Sequence, residues 1–215
     1  MSLEYKSVAS QSGKNSSLVI FLHGYGADGA DLLGLAQPLA PHLPDTVFVA
    51  PDAPEPCASN PFGFQWFPVS WIDGAKPEVM AASIDSSGKL LNSFLDTIEK
   101  ETGVEPENTM LVGFSQGTMM SLQFGPQRAR QFAGIVGFSG RLMDPDLLTA
   151  AKSKPPIQLI HGDQDEMVPY GSMAKAEAAL AEAGFEVATH TSPGTGHGIA
   201  PDGLSVALAF MKSRL

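Results

Sequence analysis

Three residue types, far apart along the chain, have the chemistry to turn a weak nucleophile into a strong one. Ser115 stands in Gly113-Phe114-Ser115-Gln116-Gly117, after the apolar run Thr109-Met110-Leu111-Val112 and ahead of a helix-like stretch. Gly-x-Ser-x-Gly between a strand and a helix is a nucleophile elbow, a tight turn that exposes one serine hydroxyl. At neutral pH that hydroxyl needs a base within hydrogen-bond reach. The base in turn needs a carboxylate that fixes its tautomer and stabilises its charged form. The chemistry such a trio supports is acyl transfer. Gly137-Phe138-Ser139-Gly140-Arg141 nearly repeats the elbow but has arginine at its fifth position, so Ser139 reads as an ordinary loop serine.

The partners of Ser115 are sought in the order acid, then histidine, each on a loop after a strand. After the apolar run 157–161 comes Gly162-Asp163-Gln164-Asp165-Glu166-Met167-Val168-Pro169. Asp163 sits almost at the strand end, where its side chain is placed to cap the turn. Asp165 lies further into the loop, from which a carboxylate can turn back toward a histidine, and Glu166 reads as solvated. After the next strand pattern, 186–190, comes Pro193-Gly194-Thr195-Gly196-His197-Gly198. Glycines on both sides leave the backbone free to present the His197 imidazole. His190 is the runner-up but lies on the strand pattern, and His42 reads as a surface residue. Two amides are expected to hold the developing oxyanion: that of Gln116, directly after the nucleophile, and that of Tyr25 in His23-Gly24-Tyr25-Gly26. His23 reads as a brace for that loop.

Presenting these residues together requires strands that end at one edge of a sheet. Short apolar runs at 17–22, 46–50, 109–113, 133–138, 157–161 and 186–190 predict strands, with an edge strand near 4–9. Longer amphipathic runs at 31–40, 77–102, 116–125, 173–183 and 203–212 predict helices. This alternation implies an α/β fold with a mostly parallel sheet covered by helices on both faces. The stretch 51–77, rich in Pro, Ala and aromatics, fits no regular element. Its Phe62, Phe64, Trp66, Phe67 and Trp71 either line an apolar groove or form a satellite core, with Trp66 and Phe67 the groove candidates. Met143 and Met167 are further candidates to shape a substrate groove.

The chain of 215 residues is 43% hydrophobic, which fits one globular domain over 1–215 with an ample core. Its net charge of −10 argues against nucleic acid and against an anionic membrane surface as partners. The single cysteine, Cys57, excludes an internal disulfide and fits a reducing compartment. No signal-peptide core and no run of spanning length is evident, so a cytoplasmic enzyme without integral membrane association is expected. Histidine and cysteine spacings match no metal site, and the glycines form neither a phosphate loop nor a dinucleotide fingerprint, so no metal and no cofactor are expected. Monomer and homodimer are both compatible with the composition.

Together these segments resemble the phospholipase/carboxylesterase family, small α/β-hydrolases that include bacterial carboxylesterases and acyl-protein thioesterases. The resemblance rests on Val19-Ile20-Phe21-Leu22-His23-Gly24-Tyr25-Gly26, Gly113-Phe114-Ser115-Gln116-Gly117, Phe138-Ser139-Gly140-Arg141-Leu142, His161-Gly162-Asp163-Gln164-Asp165 with Val168-Pro169, and Gly196-His197. It implies an α/β-hydrolase fold with no separate cap domain. It also implies hydrolysis of carboxylic esters, lysophospholipids or acyl thioesters through Ser115, Asp165 and His197. It assigns the acid to the second aspartate of Gly-Asp-x-Asp and the second oxyanion donor to the position of Tyr25. Tyr25 stands where the family usually has leucine, and Pro68 follows Trp66-Phe67 where aspartate is usual. The competing reading is a catalytically silent domain of this fold that binds an apolar ligand or partner.

Overall fold

The computed structural model describes residues 3–215. Its centre is a seven-stranded sheet built from β1 (Tyr5–Val8), β2 (Ser17–Leu22), β3 (Thr46–Pro51), β6 (Thr109–Phe114), β7 (Gly134–Phe138), β8 (Ile157–Gly162) and β9 (Val187–Ser192), in the order β1-β3-β2-β6-β7-β8-β9. Only β1 runs antiparallel to its neighbour; every other pair is parallel. The inner strands are nearly continuous apolar runs because both of their faces are covered. Val19, Phe21, Phe48, Met110, Val112 and Val136 point to one face, and Ile20, Leu22, Val49, Leu111, Ile135 and Leu159 to the other.

The first of those faces packs on α1 (Gly29–Leu33), α2 (Ala36–Leu39) and α7 (Pro201–Lys212), through Leu32, Leu39, Ala207 and Met211. The second packs on α4 (Pro77–Thr102), α5 (Gln116–Phe124) and α6 (Gly171–Glu182). In α4 the stripe Leu91, Phe94, Leu95 and Ile98 is buried, as a helical repeat of apolar residues requires. Where the pattern predicts one helix over 31–40, the structure has two short ones. Pro38 lacks the N–H that would bond the Gly34 carbonyl. Around it Leu35 bonds Leu32 and Gln37 bonds Gly34, three residues back instead of four.

The irregular stretch 51–77 contains a two-stranded ribbon, β4 (Glu55–Pro56) with β5 (Phe64–Gln65), and the single turn α3 (Ser70–Asp73). Phe64 also bonds the loop after β2: its carbonyl accepts from the Gly26 amide at 2.9 Å, and its amide donates to the Ala27 carbonyl at 2.8 Å. The long irregular segment is thereby fastened to the loop that carries Tyr25.

Candidate active site

The parallel strands β2, β6, β8 and β9 deliver the candidate residues to one edge of the sheet. Ser115 follows β6 directly, with φ 53° and ψ −114°, a conformation that costs a non-glycine residue about 1–3 kcal/mol. The turn is held by its surroundings: the Ser115 amide donates to the Phe138 carbonyl at 2.9 Å. A side chain at Gly117 would run into the Leu22 carbonyl, and one at Gly113 into the backbone of Gly117 and Thr118. Only glycine at both positions lets α5 start so close to β2 and β6. Ser139, at the end of β7, differs from a plain loop serine. It is 1% exposed, also has positive φ (46°), and its hydroxyl faces the Gly198 carbonyl.

On the next loop, Asp165 is the carboxylate that meets His197. Its Oδ2 accepts from His197 Nδ1 at 2.8 Å. Its Oδ1 accepts from the amides of Met167 and Val168, both at 2.9 Å. His161 Nε2 adds a contact at 3.2 Å to Oδ2 while donating to the Val168 carbonyl at 2.9 Å. Burial by itself would raise the Asp165 pKa, but the His197 hydrogen bond and the two amides outweigh it and hold the carboxyl below its usual range. Asp163 serves the loops instead: its Oδ1 accepts from the Gly194 amide at 2.7 Å, while Gln164 donates its amide to the Thr195 carbonyl at 2.9 Å. The acid loop and the histidine loop thus continue the β8–β9 pairing beyond the sheet. Glu166 and His42 are exposed. His190, on β9, pairs at 2.8 Å with Asp202 in the first turn of α7.

Because an ionised carboxylate only accepts, Asp165 fixes the His197 proton on Nδ1 and leaves Nε2 free to take another. The ring packs on Phe114, with centroids 4.9 Å apart. Ser115 and His197 line one cavity of about 150 Å³ together with Tyr25, Gln116, Phe67 and Met167. Val69, Ile72, Met80, Phe114, Met119, Arg141 and Val168 complete its walls. A groove of about 440 Å³ adjoins it across Phe67, Met80 and Arg141, with Met143 on its far side. Of the lining residues missing from the sequence reading, Phe114 and Met119 carry a signal in their spacing from Ser115. Val69 and Ile72 depend on the path of an irregular segment and carry none, whereas Met80 stands on the first turns of α4.

Trp66 does not line this cavity, contrary to expectation. It is 0% exposed, and its indole N–H donates to the His23 carbonyl at 3.0 Å. The ring satisfies its one donor inside the core and anchors its segment there. Phe67, beside it, does reach the cavity wall.

His23 braces the loop that presents Tyr25. Its Nδ1 donates to the Gly24 carbonyl at 2.7 Å and its Nε2 accepts from the Ala53 amide at 2.9 Å, which requires the neutral ring. Burial pushes its pKa below the ordinary 6.5, against a smaller opposing effect of the Gly24 carbonyl and nearby aspartates. The unfolded chain takes up a proton near 6.5 and the folded one only at lower pH. The stability contributed by His23 is therefore present above that value and is lost as pH falls below it. His23→Ala, which leaves the Ala53 N–H without its acceptor, should cost about 1–3 kcal/mol. Urea denaturation should show this loss at pH 7, with a smaller difference from the wild type in mild acid. Equal stability of the two proteins at pH 7 would contradict the bracing role.

Among the described residues, neither the Tyr25 amide nor the Gln116 amide is bonded to a protein acceptor. Their side chains, by contrast, are engaged. Gln116 Oε1 accepts from the Trp66 amide at 3.1 Å, and its Nε2 donates to the Phe67 carbonyl at 2.8 Å. The Tyr25 hydroxyl donates to Asp73 Oδ1 at 2.5 Å.

A positive-φ serine between a parallel strand and its helix, on a mostly parallel sheet covered on both faces, defines an α/β-hydrolase frame; among the described residues no separate cap is inserted in it. The chain belongs to the phospholipase/carboxylesterase family, whose sequence profile matches residues 3–215. It is similar to the crystal structure of esterase PE8, with a TM-score of 0.95 and 40% identity over 100% of both chains. It is also similar to acyl-protein thioesterase 1 of Saccharomyces cerevisiae, 33% identical over 92% of each chain. Esterase YpfH of Escherichia coli is 29% identical over 91% of this chain and 82% of its own. The chain is accordingly a carboxylesterase-type hydrolase.

Proposed function

We propose that this hydrolase is a serine esterase in which Ser115 is the nucleophile, His197 the base and Asp165 the residue that orients it. The observation that carries the reading is the 2.8 Å pair between Asp165 and His197, whose ring shares a cavity with Ser115. His197 Nε2 takes the Ser115 proton as the hydroxyl attacks the ester carbonyl. The amides of Tyr25 and Gln116 donate hydrogen bonds to the developing oxyanion, each such donor being worth roughly a hundred- to a thousandfold in rate. His197 then returns the proton to the departing alcohol or thiol. Water attacks the acyl-enzyme by the same route in reverse.

The walls of the cavity are mainly apolar, which suits the acyl group. A space of about 150 Å³ holds a benzene-sized guest. Phe67 and Met167 line this cavity and are the side chains proposed to contact the acyl group. Short-chain esters are therefore the substrates proposed, with a longer alcohol or thiol portion lying in the adjoining groove. Cys57 is a buried free thiol, in keeping with work in the cytoplasm.

A fluorophosphonate probe tests the reading directly. One adduct per chain, located at Ser115 and accompanied by loss of nitrophenyl butyrate hydrolysis, is expected. An intact protein that gains no adduct would instead favour a catalytically silent domain.

A further inference from the structure

The segment 68–74 forms one wall of the cavity through Val69 and Ile72. Internally it is a closed turn: the amides of Ile72 and Asp73 donate to the Val69 carbonyl, and that of Gly74 to Ser70. Asp73 Oδ2 also accepts from the Val69 amide at 2.5 Å, which closes the turn on itself. Val69 is buried, and among the described side chains the polar attachments of the turn to the rest of the molecule lie mainly at its two ends. On the N-terminal side, the Gln116 side chain holds Trp66 and Phe67. On the C-terminal side, Asp73 Oδ1 accepts from the Tyr25 hydroxyl, which itself accepts from Ser59 Oγ at 3.1 Å. Among the described residues, Ser70 Oγ adds a polar contact at 4.0 Å with the sulfur of Met80. Tyr25 and Gln116, which line the cavity with Ser115, thus use their side chains to hold the two ends of one of its walls.

We propose that the Tyr25–Asp73 hydrogen bond is a latch that sets the acyl-chain length this enzyme accepts. It holds the turn 68–74 closed over the cavity, and Asp73 is a positioning residue for that wall. The inference rests on the esterase reading above and adds the element that limits its substrate. A leucine in place of Tyr25 offers no donor, so a latch of this kind requires the tyrosine. Burial, followed by the bond to Asp73, raises the phenol above its ordinary pKa of 10.0, so it remains a donor throughout the neutral range. A hydrogen bond to a charged group contributes more than a neutral one, enough to keep a short turn seated. With the latch closed, chains longer than the cavity meet Val69 and Ile72. With it open, the turn swings on its Gln116-held end and the cavity lengthens.

The test is a series of nitrophenyl esters from acetate to decanoate with the wild type, Asp73→Ala, Tyr25→Phe and the double variant. In the wild type, kcat/KM should fall beyond hexanoate. Each single variant should raise the octanoate-to-butyrate ratio of kcat/KM about tenfold, and the double variant should gain no more than either, since both remove one bond. Amide hydrogen exchange at Ile72, Asp73 and Gly74 should quicken at least fivefold in both single variants, a readout that needs no turnover. An unchanged ratio, or an equal fall for every chain length, would overturn the latch, as would unaltered exchange. Failure of the esterase reading would look different: the wild type would hydrolyse none of the esters, while the exchange measurement would still report on the latch.

Discussion

Ser115→Ala should remove nitrophenyl ester turnover almost completely, with kcat falling on the order of ten-thousandfold to a millionfold. The protein should stay folded, because alanine keeps the Cβ that already fits the tight turn and deletes only the hydroxyl. On the proposed mechanism, what remains after the substitution is binding and the two oxyanion donors, without a nucleophile to form the acyl-enzyme. The melting temperature should stay close to that of the wild type or rise slightly, since a strained functional residue is seldom the most stable choice at its position. Steady-state kinetics with nitrophenyl butyrate decides the matter. Turnover above one part in a hundred of the wild type, in protein free of contaminating esterase, would remove Ser115 from the nucleophile role.

The second large effect is expected at Asp165. Its Oδ1 is occupied by the amides of Met167 and Val168, which can only donate. In Asp165→Asn the amide oxygen must stay on that side, so the NH2 group faces His197 Nδ1. That nitrogen would have to become the acceptor, moving the imidazole proton to Nε2, where it blocks proton transfer from Ser115. The loss should be on the order of ten-thousandfold in kcat, with little change in stability. Asp163→Asn, by contrast, keeps an oxygen for the Gly194 amide and touches no imidazole, so its effect should stay within about tenfold. Reversal of this ranking would transfer the orienting role to Asp163.

The comparison of these aspartates shows how far the chain can be read without coordinates. Position along the Gly-Asp-x-Asp loop separates a residue at the strand end from one that can turn back, and that difference is local. The strands are legible for the same reason: a buried parallel strand must be an unbroken apolar run, so β2 and β6 announce themselves. The single helix expected over 31–40 fails because periodicity counts apolar positions but does not register that Pro38 deletes a hydrogen bond. Trp66 fails for a deeper reason. An aromatic in an irregular segment can face a groove or the core with equal local chemistry, and only the carbonyl of His23, 43 positions away, decides between them. The clamp on segment 68–74 is equally hidden, since Tyr25 and Asp73 have no periodic relation and meet only through tertiary packing.

The zipped loops after β8 and β9 have a consequence for how the enzyme breathes. Gln164 bonds Thr195 and Asp163 bonds Gly194, alongside the contact between Asp165 and His197. Imidazole and carboxylate therefore sit in one hydrogen-bonded unit. An excursion that lifts this unit away from Ser115 would leave the hydrogen bond between Asp165 and His197 intact. Loosening this region would then change the fraction of molecules in which the ring and the Ser115 hydroxyl share one cavity.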